Sequence, residues 1–257
     1  MKTILIVGIG AGNPEHLTVQ AINALNRADV LFIPDKGARK ADLADLRREI
    51  IARYVTNPAS RSIEYGVPKR DAGNPDYGAG VDDWHAALAE IFVGLLADVP
   101  ENGAGAFLVW GDPGLYDSTI RIVDRLRDRF AVEIIPGITS IQALTAAHGI
   151  ALNRIGEPVH ITTGRKLGAV VDDTVVMLDG QTAFLDADPE LDIFWGAYLG
   201  TADEVIIAGR LGAVRDSIAE TRKAARARHG WIMDTYLLRK RDQANSPPTV
   251  PPTGSIR

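Results

Sequence analysis

Three short segments place glycines in patterns that could hold a ligand through backbone groups. They are Gly8-Ile9-Gly10-Ala11-Gly12, Gly111-Asp112-Pro113-Gly114 and Pro136-Gly137-Ile138-Thr139-Ser140. Glycine has no Cβ, so the main chain can come close to a nucleotide-like ligand. A dinucleotide fold would place its third glycine at position 13, where Asn13 stands, although Asp35 could serve as the ribose acid. Each segment has a plainer reading. The first is also a tight strand-to-helix turn, the second an ordinary turn built on Asp112, and in the third Thr139 or Ser140 caps the following helix. Their order and spacing together say more than any one of them. A nicotinamide-dependent dehydrogenase built on the first loop leaves the other two unexplained.

The remaining chemistry-bearing residues narrow the field. The chain has no cysteine, which excludes disulfides, thiolate zinc sites and a cysteine nucleophile. No His/Asp/Glu group has ligand-like spacing, so no metal is expected. His85 and His160 could act as acid or base, but one falls within a helical pattern and the other in a strand, and both read better as structural.

These loops need elements to position them. Ile4 to Val7 is an apolar run ending in glycine, the pattern of a strand buried on both faces. Helical spacing from Leu17 to Ala28 and a strand from Val30 to Ile33 complete a βαβ unit, hence a parallel pair. Leu43, Leu46, Ile50 and Tyr54 mark a helix, and residues 56 to 80 read as a long loop, a candidate lid. Trp84, Leu88, Ile91 and Leu95 mark another helix. Strands over Ala106 to Trp110 and Val132 to Ile135, with a helix from about Ser118 to Arg129 between them, run into the second and third loops. In open α/β sheets ligands lie beyond the carboxyl ends of strands, so the three loops are expected to converge.

Beyond residue 142 the texture changes. Val159 to Thr162, Thr174 to Leu178, Ile193 to Leu199, Glu204 to Ala208 and Trp231 to Leu238 read as strands, and Ala213 to Arg228 as a helix. The expected organisation is an α/β fold of two domains, 1–142 with a mostly parallel sheet and 143–240 with a mixed sheet. From Arg239 the chain turns polar and proline-rich, and 241–257 reads as a flexible tail. With 257 residues, 46% hydrophobic and 24% charged, the chain can build a core of this size. A net charge of −5 argues against a general nucleic-acid binder. The first residues are too few to span a membrane, which points to a cytoplasmic protein.

Val7-Gly8-Ile9-Gly10-Ala11-Gly12 with Leu17-Thr18, Ala21, Leu25 and Ala28-Asp29-Val30, then Gly111-Asp112-Pro113 and Pro136-Gly137-Ile138-Thr139-Ser140, resembles the tetrapyrrole (corrin/porphyrin) methylase family over nearly the whole chain. Longer strings are similar to a deacetylating branch of that family in corrin biosynthesis. They are Pro34 to Gly37, Trp110 to Thr119, Leu152 to Arg165 and His229 to Tyr236. The resemblance implies S-adenosylmethionine as co-substrate, folded in a cleft between two α/β domains. It implies methylation of precorrin-5 at ring carbon one with release of acetate, in a homodimer. By the family pattern Ala11 lies near the cofactor, and Trp110, Gly111, Asp112 and Leu115 line it, largely through backbone. Thr139 and Ser140 sit near its amino-acid or sulfonium end. Where the family has Met-Gly this chain has Met177-Leu178-Asp179-Gly180, with Leu178 the choice for the adenine, and Arg210 and Leu211 fall on the last cofactor loop.

Deacetylation needs a base, for which Asp35 is the candidate with Lys36 beside it; the alternative is a solvated pair at a strand end. A precorrin carries many carboxylates. Arg39, Lys40, Arg61, Lys69, Arg70, Arg165 and Lys166 lie in predicted loops and either bind them or keep the surface soluble. The run Arg222 to Arg228 reads as the wet face of a helix. A methylase for another ring position and a non-catalytic tetrapyrrole carrier on the same scaffold remain as alternatives.

Overall fold

The computed structural model describes residues 1–35, 41–68 and 77–241. Lys36, Arg39, Lys40, Lys69, Arg70 and residues 242–257 of the expected tail lie outside the described residues. The chain divides into two compact units. The first holds Met1–Ala143 with Tyr198–Glu204 and Ala225–Ile232; the second holds Leu144–Ala197, Val205–Ala224 and the chain from Met233.

The first unit runs β1 (Thr3–Gly8), α1 (Val19–Arg27), β2 (Val30–Asp35), α2 (Ala41–Tyr54), β3 (Arg61–Gly66), α3 (Tyr77–Leu96), β4 (Ala104–Val109), α4 (Thr119–Val123), β5 (Ala131–Ile135) and the start of α5 (Ser140–His148). Its strands pair in the order β3-β2-β4-β1-β5, all parallel. The central strands are continuous apolar runs because both faces are covered. On one face Ile4, Ile6, Phe32 and Phe107 pack with Leu88, Phe92 and Leu96 of α3. On the other, Leu5, Val7, Leu31 and Leu108 meet Ala21, Ala24 and Leu25 of α1 and Ile50 of α2. Each large apolar side chain so buried stabilises by about 1.5–3 kcal/mol before entropy is counted. With Gly8 opposite Val109 and Val7 opposite Ile135, β1, β4 and β5 end at one edge.

Two expectations for this unit are corrected. Residues 56 to 80 are not one loop, since β3 and the first turn of α3 lie within them. Among the described residues β3 pairs only with β2, and it is exposed at Arg61, Ser62 and Glu64, so only Ile63 and Tyr65 carry the strand signal. Gly78 and Gly80 weaken the helical pattern where α3 begins. The helix expected over Ser118 to Arg129 ends at Val123 and tightens into a 3-10 turn at Asp124–Leu126.

The second unit contains β6 (Val159–Thr163), β7 (Asp173–Met177), β8 (Asp192–Ala197), β9 (Val205–Arg210), most of α6 (Leu211–His229) and β10 (Asp234–Arg239). The sheet order is β6-β7-β10-β8-β9, with β6 and β7 parallel and the other pairs antiparallel. Two arginines read as solvated are not. Arg239, taken as the start of the tail, ends β10 and donates from Nε to Asp173 at 3.0 Å and from Nη2 to the Ala151 and Leu152 carbonyls. Arg222, assigned to a wet face, is 7% exposed and forks onto Asp234. Buried carboxylates explain both, because such a partner lies far away in sequence. Among the described residues no helix is long and apolar enough to cross a membrane.

Candidate functional site

The three loops meet at the carboxyl edge of the parallel sheet. Ile9 N–H donates to the Val109 carbonyl at 2.9 Å, and Gly10 and Gly111 exchange N–H to carbonyl bonds at 3.3 and 2.8 Å. Both glycines are left-handed, φ +83° and +69°, which disfavours any side chain there. A Cβ at Gly8 would stand 2.6 Å from the Gly137 nitrogen, and one at Gly137 would sit on the Gly111 carbonyl oxygen. Asp112 ties the loops together, accepting from Gly114 N–H at 2.7 Å on one oxygen and from Gly137 N–H at 2.9 Å on the other. Its carboxylate is therefore committed to loop structure. Beside Gly111 there is room, since the nearest atom to a Cβ built there is Thr139 Cα at 3.9 Å. That side of Gly111 is open, which leaves its backbone within reach of a ligand.

Thr139 caps α5. Its hydroxyl accepts from Ile141 N–H at 3.1 Å and donates to Gln142 Oε1, and that oxygen also accepts from Thr139 N–H. Threonine and glutamine thus cap the helix start from both sides, the threonine on the N2 N–H and the glutamine on the cap's own N–H. Ser140 begins the helix and is half-buried. Ala11 is buried and Leu115 half-buried. Trp110 and Gly12 line a cleft of about 430 Å³ within the first unit, which Tyr198, Thr201, His229 and Trp231 also line, with the carboxylates of Asp45, Glu49 and Asp203 at its wall. Tyr198 is fixed there by its hydroxyl on the Trp231 carbonyl at 2.6 Å and by edge contact with the Trp231 ring.

The segment Tyr198 to Thr201 was missed as part of the site. A Cβ at Gly12 would meet the Leu199 carbonyl, and one at Gly200 would stand 2.8 Å from Asn13 N, so this segment lies directly on the first glycine loop. Gly200-Thr201 just past a strand was the available signal, the same strand-then-glycine pattern as the other loops. Arg47 was also missed. Its guanidinium is buried, donating to the Leu108 carbonyl at 3.0 Å and the Leu43 carbonyl at 2.6 Å. Burial lowers its pKa to about 10, opposed by Tyr65 and Asp117. Burial likewise pushes the Tyr65 phenol well above its ordinary value.

The other candidates are more scattered. Asp35 ends β2 with an exposed side chain, at the same edge of the sheet as the loops. Arg61 starts β3 at the opposite edge and pairs with Asp98 at 3.1 Å, so it is not a loop cation near the convergence. In the second unit Arg165 and Lys166 are exposed on a 3-10 turn, and Leu178 is exposed with φ +52°. Arg210 ends β9 in an ion pair with Glu190, and Leu211 is fully buried. His160 is exposed in β6, its Nε2 2.9 Å from Asp172. His85 is buried in α3, and burial with Arg125 and Arg121 nearby holds it below the ordinary histidine pKa. Among the described residues no group of three His, Asp or Glu could hold a metal ion.

Residues 3–215 match the family model of tetrapyrrole (corrin/porphyrin) methylases. The chain belongs to this family. Among the methylases, precorrin-6A synthase [deacetylating] of a Sinorhizobium species is 60% identical over 250 residues, covering 93% of this chain and 96% of its own. The crystal structure of CobF, a cobalamin-synthesis-related protein of Corynebacterium diphtheriae, superposes with a TM-score of 0.81 at 42% identity, covering 94% of this chain and all of the other. A uroporphyrin-III C-methyltransferase of Thermus thermophilus, solved in complex with S-adenosylhomocysteine, shares the methylase fold at a TM-score of 0.62 and 19% identity, covering 92% of this chain and 97% of its own.

Proposed function

We propose that this chain methylates precorrin-5 at ring carbon one, with loss of the acetyl group as acetate, to give precorrin-6A. The observation that carries this reading is the 60% identity, spread over 93% of the chain, to a deacetylating precorrin-6A synthase. The chain is a methyltransferase of cobalamin biosynthesis, with S-adenosylmethionine as methyl donor. Its partner molecule is a tetrapyrrole. The donor supplies an electrophilic methyl group on a sulfonium, so the protein's work is placement, and orientation alone can supply roughly 7–11 kcal/mol.

Ala11, Trp110, Gly111, Asp112, Leu115, Thr139 and Ser140 are proposed to hold the donor. The backbone knot of the three loops favours this reading, because its groups are fixed before the ligand arrives. Leu178 is proposed to meet the adenine. Arg210 and Leu211 complete the set, Leu211 through its backbone since its side chain is core. Asp35, with Lys36 beside it, is proposed to draw a proton from a water that adds to the acetyl carbonyl. The bond from acetyl carbon to ring carbon then breaks, acetate leaves, and the ring carbon keeps the electron pair that accepts the methyl group. The exposed position of Asp35 at the loop edge of the sheet supports it. A homodimer is proposed as the working form.

The test uses precorrin-5 and S-adenosylmethionine with the wild type and Asp35→Asn. Wild type should release one acetate per methyl transferred, and Asp35→Asn should slow acetate release by a factor of ~10²–10⁴, the usual contribution of a general base. Methyl transfer to another ring position without acetate would overturn the assignment of ring carbon one and of the deacetylation. Wild-type acetate release by Asp35→Asn would remove Asp35 from the mechanism.

A further inference from the structure

In the second unit β7 ends at Met177, and the chain turns through Leu178-Asp179-Gly180-Gln181-Thr182. Leu178 and Thr182 are both left-handed, φ +52° and +57°, and Leu178 is 58% exposed. An apolar side chain held out to solvent on a disfavoured backbone persists only if its surroundings enforce it. Here they do so through a buried polar network.

Asp179, 3% exposed, accepts from Gln181 N–H at 3.0 Å on one oxygen, and from Ala183 N–H and the Tyr236 hydroxyl, each at 2.8 Å, on the other. Its own carbonyl accepts from Arg222 Nη2. The Arg222 fork is fixed by Asp234, at 2.6 and 3.1 Å, and Asp234 also accepts from the Trp195 indole at 2.9 Å. Burial, and Asp179 beside it, push the Tyr236 hydroxyl far above its ordinary pKa, so it remains a donor. From the other side Gly164 presses on the Asp179 backbone, a Cβ there standing 2.8 Å from Asp179 Cα.

We infer that Asp179, Arg222, Asp234 and Tyr236 are positioning residues, which hold the Leu178 turn in the shape that receives the adenosyl group of the methyl donor. The inference rests on the assignment of Leu178 to the adenine, and it adds a set of residues that act through that turn without touching the ligand. Arginine is required at 222 because three bonds from one fork reach two partners, a geometry a lysine ammonium cannot reproduce.

The experiment compares Tyr236→Phe, Asp234→Asn and Leu178→Ala with wild type. It measures the KM for S-adenosylmethionine, kcat, the Kd for S-adenosylhomocysteine by calorimetry, and the thermal midpoint. Tyr236→Phe keeps the shape of the core, so it reads the proposal even if Asp234→Asn fails to fold. The expected result is a rise of ~10-fold in KM and Kd for Leu178→Ala and for Tyr236→Phe, with kcat within about twofold. The double variant should show much less than the product of the two effects, since both act on one turn. A Tyr236→Phe protein with a lowered midpoint but wild-type KM and Kd would make the network structural only and overturn the inference, while the Leu178 assignment stands on its own variant. Unchanged affinity in Leu178→Ala would remove that assignment and the inference with it.

Discussion

His85 has its ring buried in α3, and its Nε2 has no hydrogen-bond partner among the described residues. Burial disfavours the charged ring, Arg125 and Arg121 oppose it, and Asp82 and Asp117 only partly compensate. The folded-state pKa therefore lies below the unfolded one, near 6.5. The folded protein binds fewer protons than the unfolded chain between those two values, so the stability that is fully present above about pH 6.5 falls as pH drops from there toward the folded pKa. His85→Gln, which cannot take the proton, should lose less thermal midpoint than wild type between pH 7.5 and pH 5. Parallel curves for the two proteins would mean that His85 is not a source of acid sensitivity. The sequence showed His85 only as a helix position, which it is. Its burial depends on how deeply that face of α3 packs, and one residue cannot report this.

At the scale of elements, the contact between loops is set by backbone rather than by side chains. A Cβ at Gly137 meets the Gly111 carbonyl, which cannot rotate away, so Gly137→Ala must push the second and third loops apart and stretch the Asp112 to Gly137 bond. We expect Gly137→Ala to weaken S-adenosylmethionine binding by at least tenfold in calorimetry. Gly94→Ala in α3, where nothing lies within 4 Å of the new methyl, should leave binding unchanged and the helix slightly favoured. Equal binding by both variants would break the link between loop packing and the cofactor. β1 and the three loops were legible because apolar runs that turn into glycine-containing loops recur in order along the chain, although each loop alone has a plainer reading. β3 was not legible, since an edge strand exposes most of its residues and leaves only Ile63 and Tyr65 to mark it. Arg222 and Arg239 were misread for a related reason, as periodicity records which residues are polar and not which of them find a buried carboxylate. Asp112 could be seen as a loop residue. That its two oxygens tie two loops together became apparent only when Gly114 and Gly137 were placed around it.

Two units, each with its own sheet, bring the whole molecule under one thermodynamic constraint: a ligand that binds only the folded chain must stabilise it by mass action. At a concentration one hundred times Kd the gain is about 2.7 kcal/mol. For a chain of this size each kcal/mol raises the midpoint by roughly 2–4 °C, so S-adenosylmethionine should raise it by about 5–10 °C. NAD at the same concentration should not shift it. The comparison decides between the two readings of the first glycine loop at molecular scale. In a dinucleotide site the loop cradles a pyrophosphate at a helix N-terminus. Here Gly10 is bridged to Gly111, and Gly12 faces the Leu199 carbonyl, so the loop spends its close approaches on its own chain. A midpoint raised by NAD and not by S-adenosylmethionine would require those backbone contacts to open for a pyrophosphate, and would overturn the methyl-donor assignment for this chain.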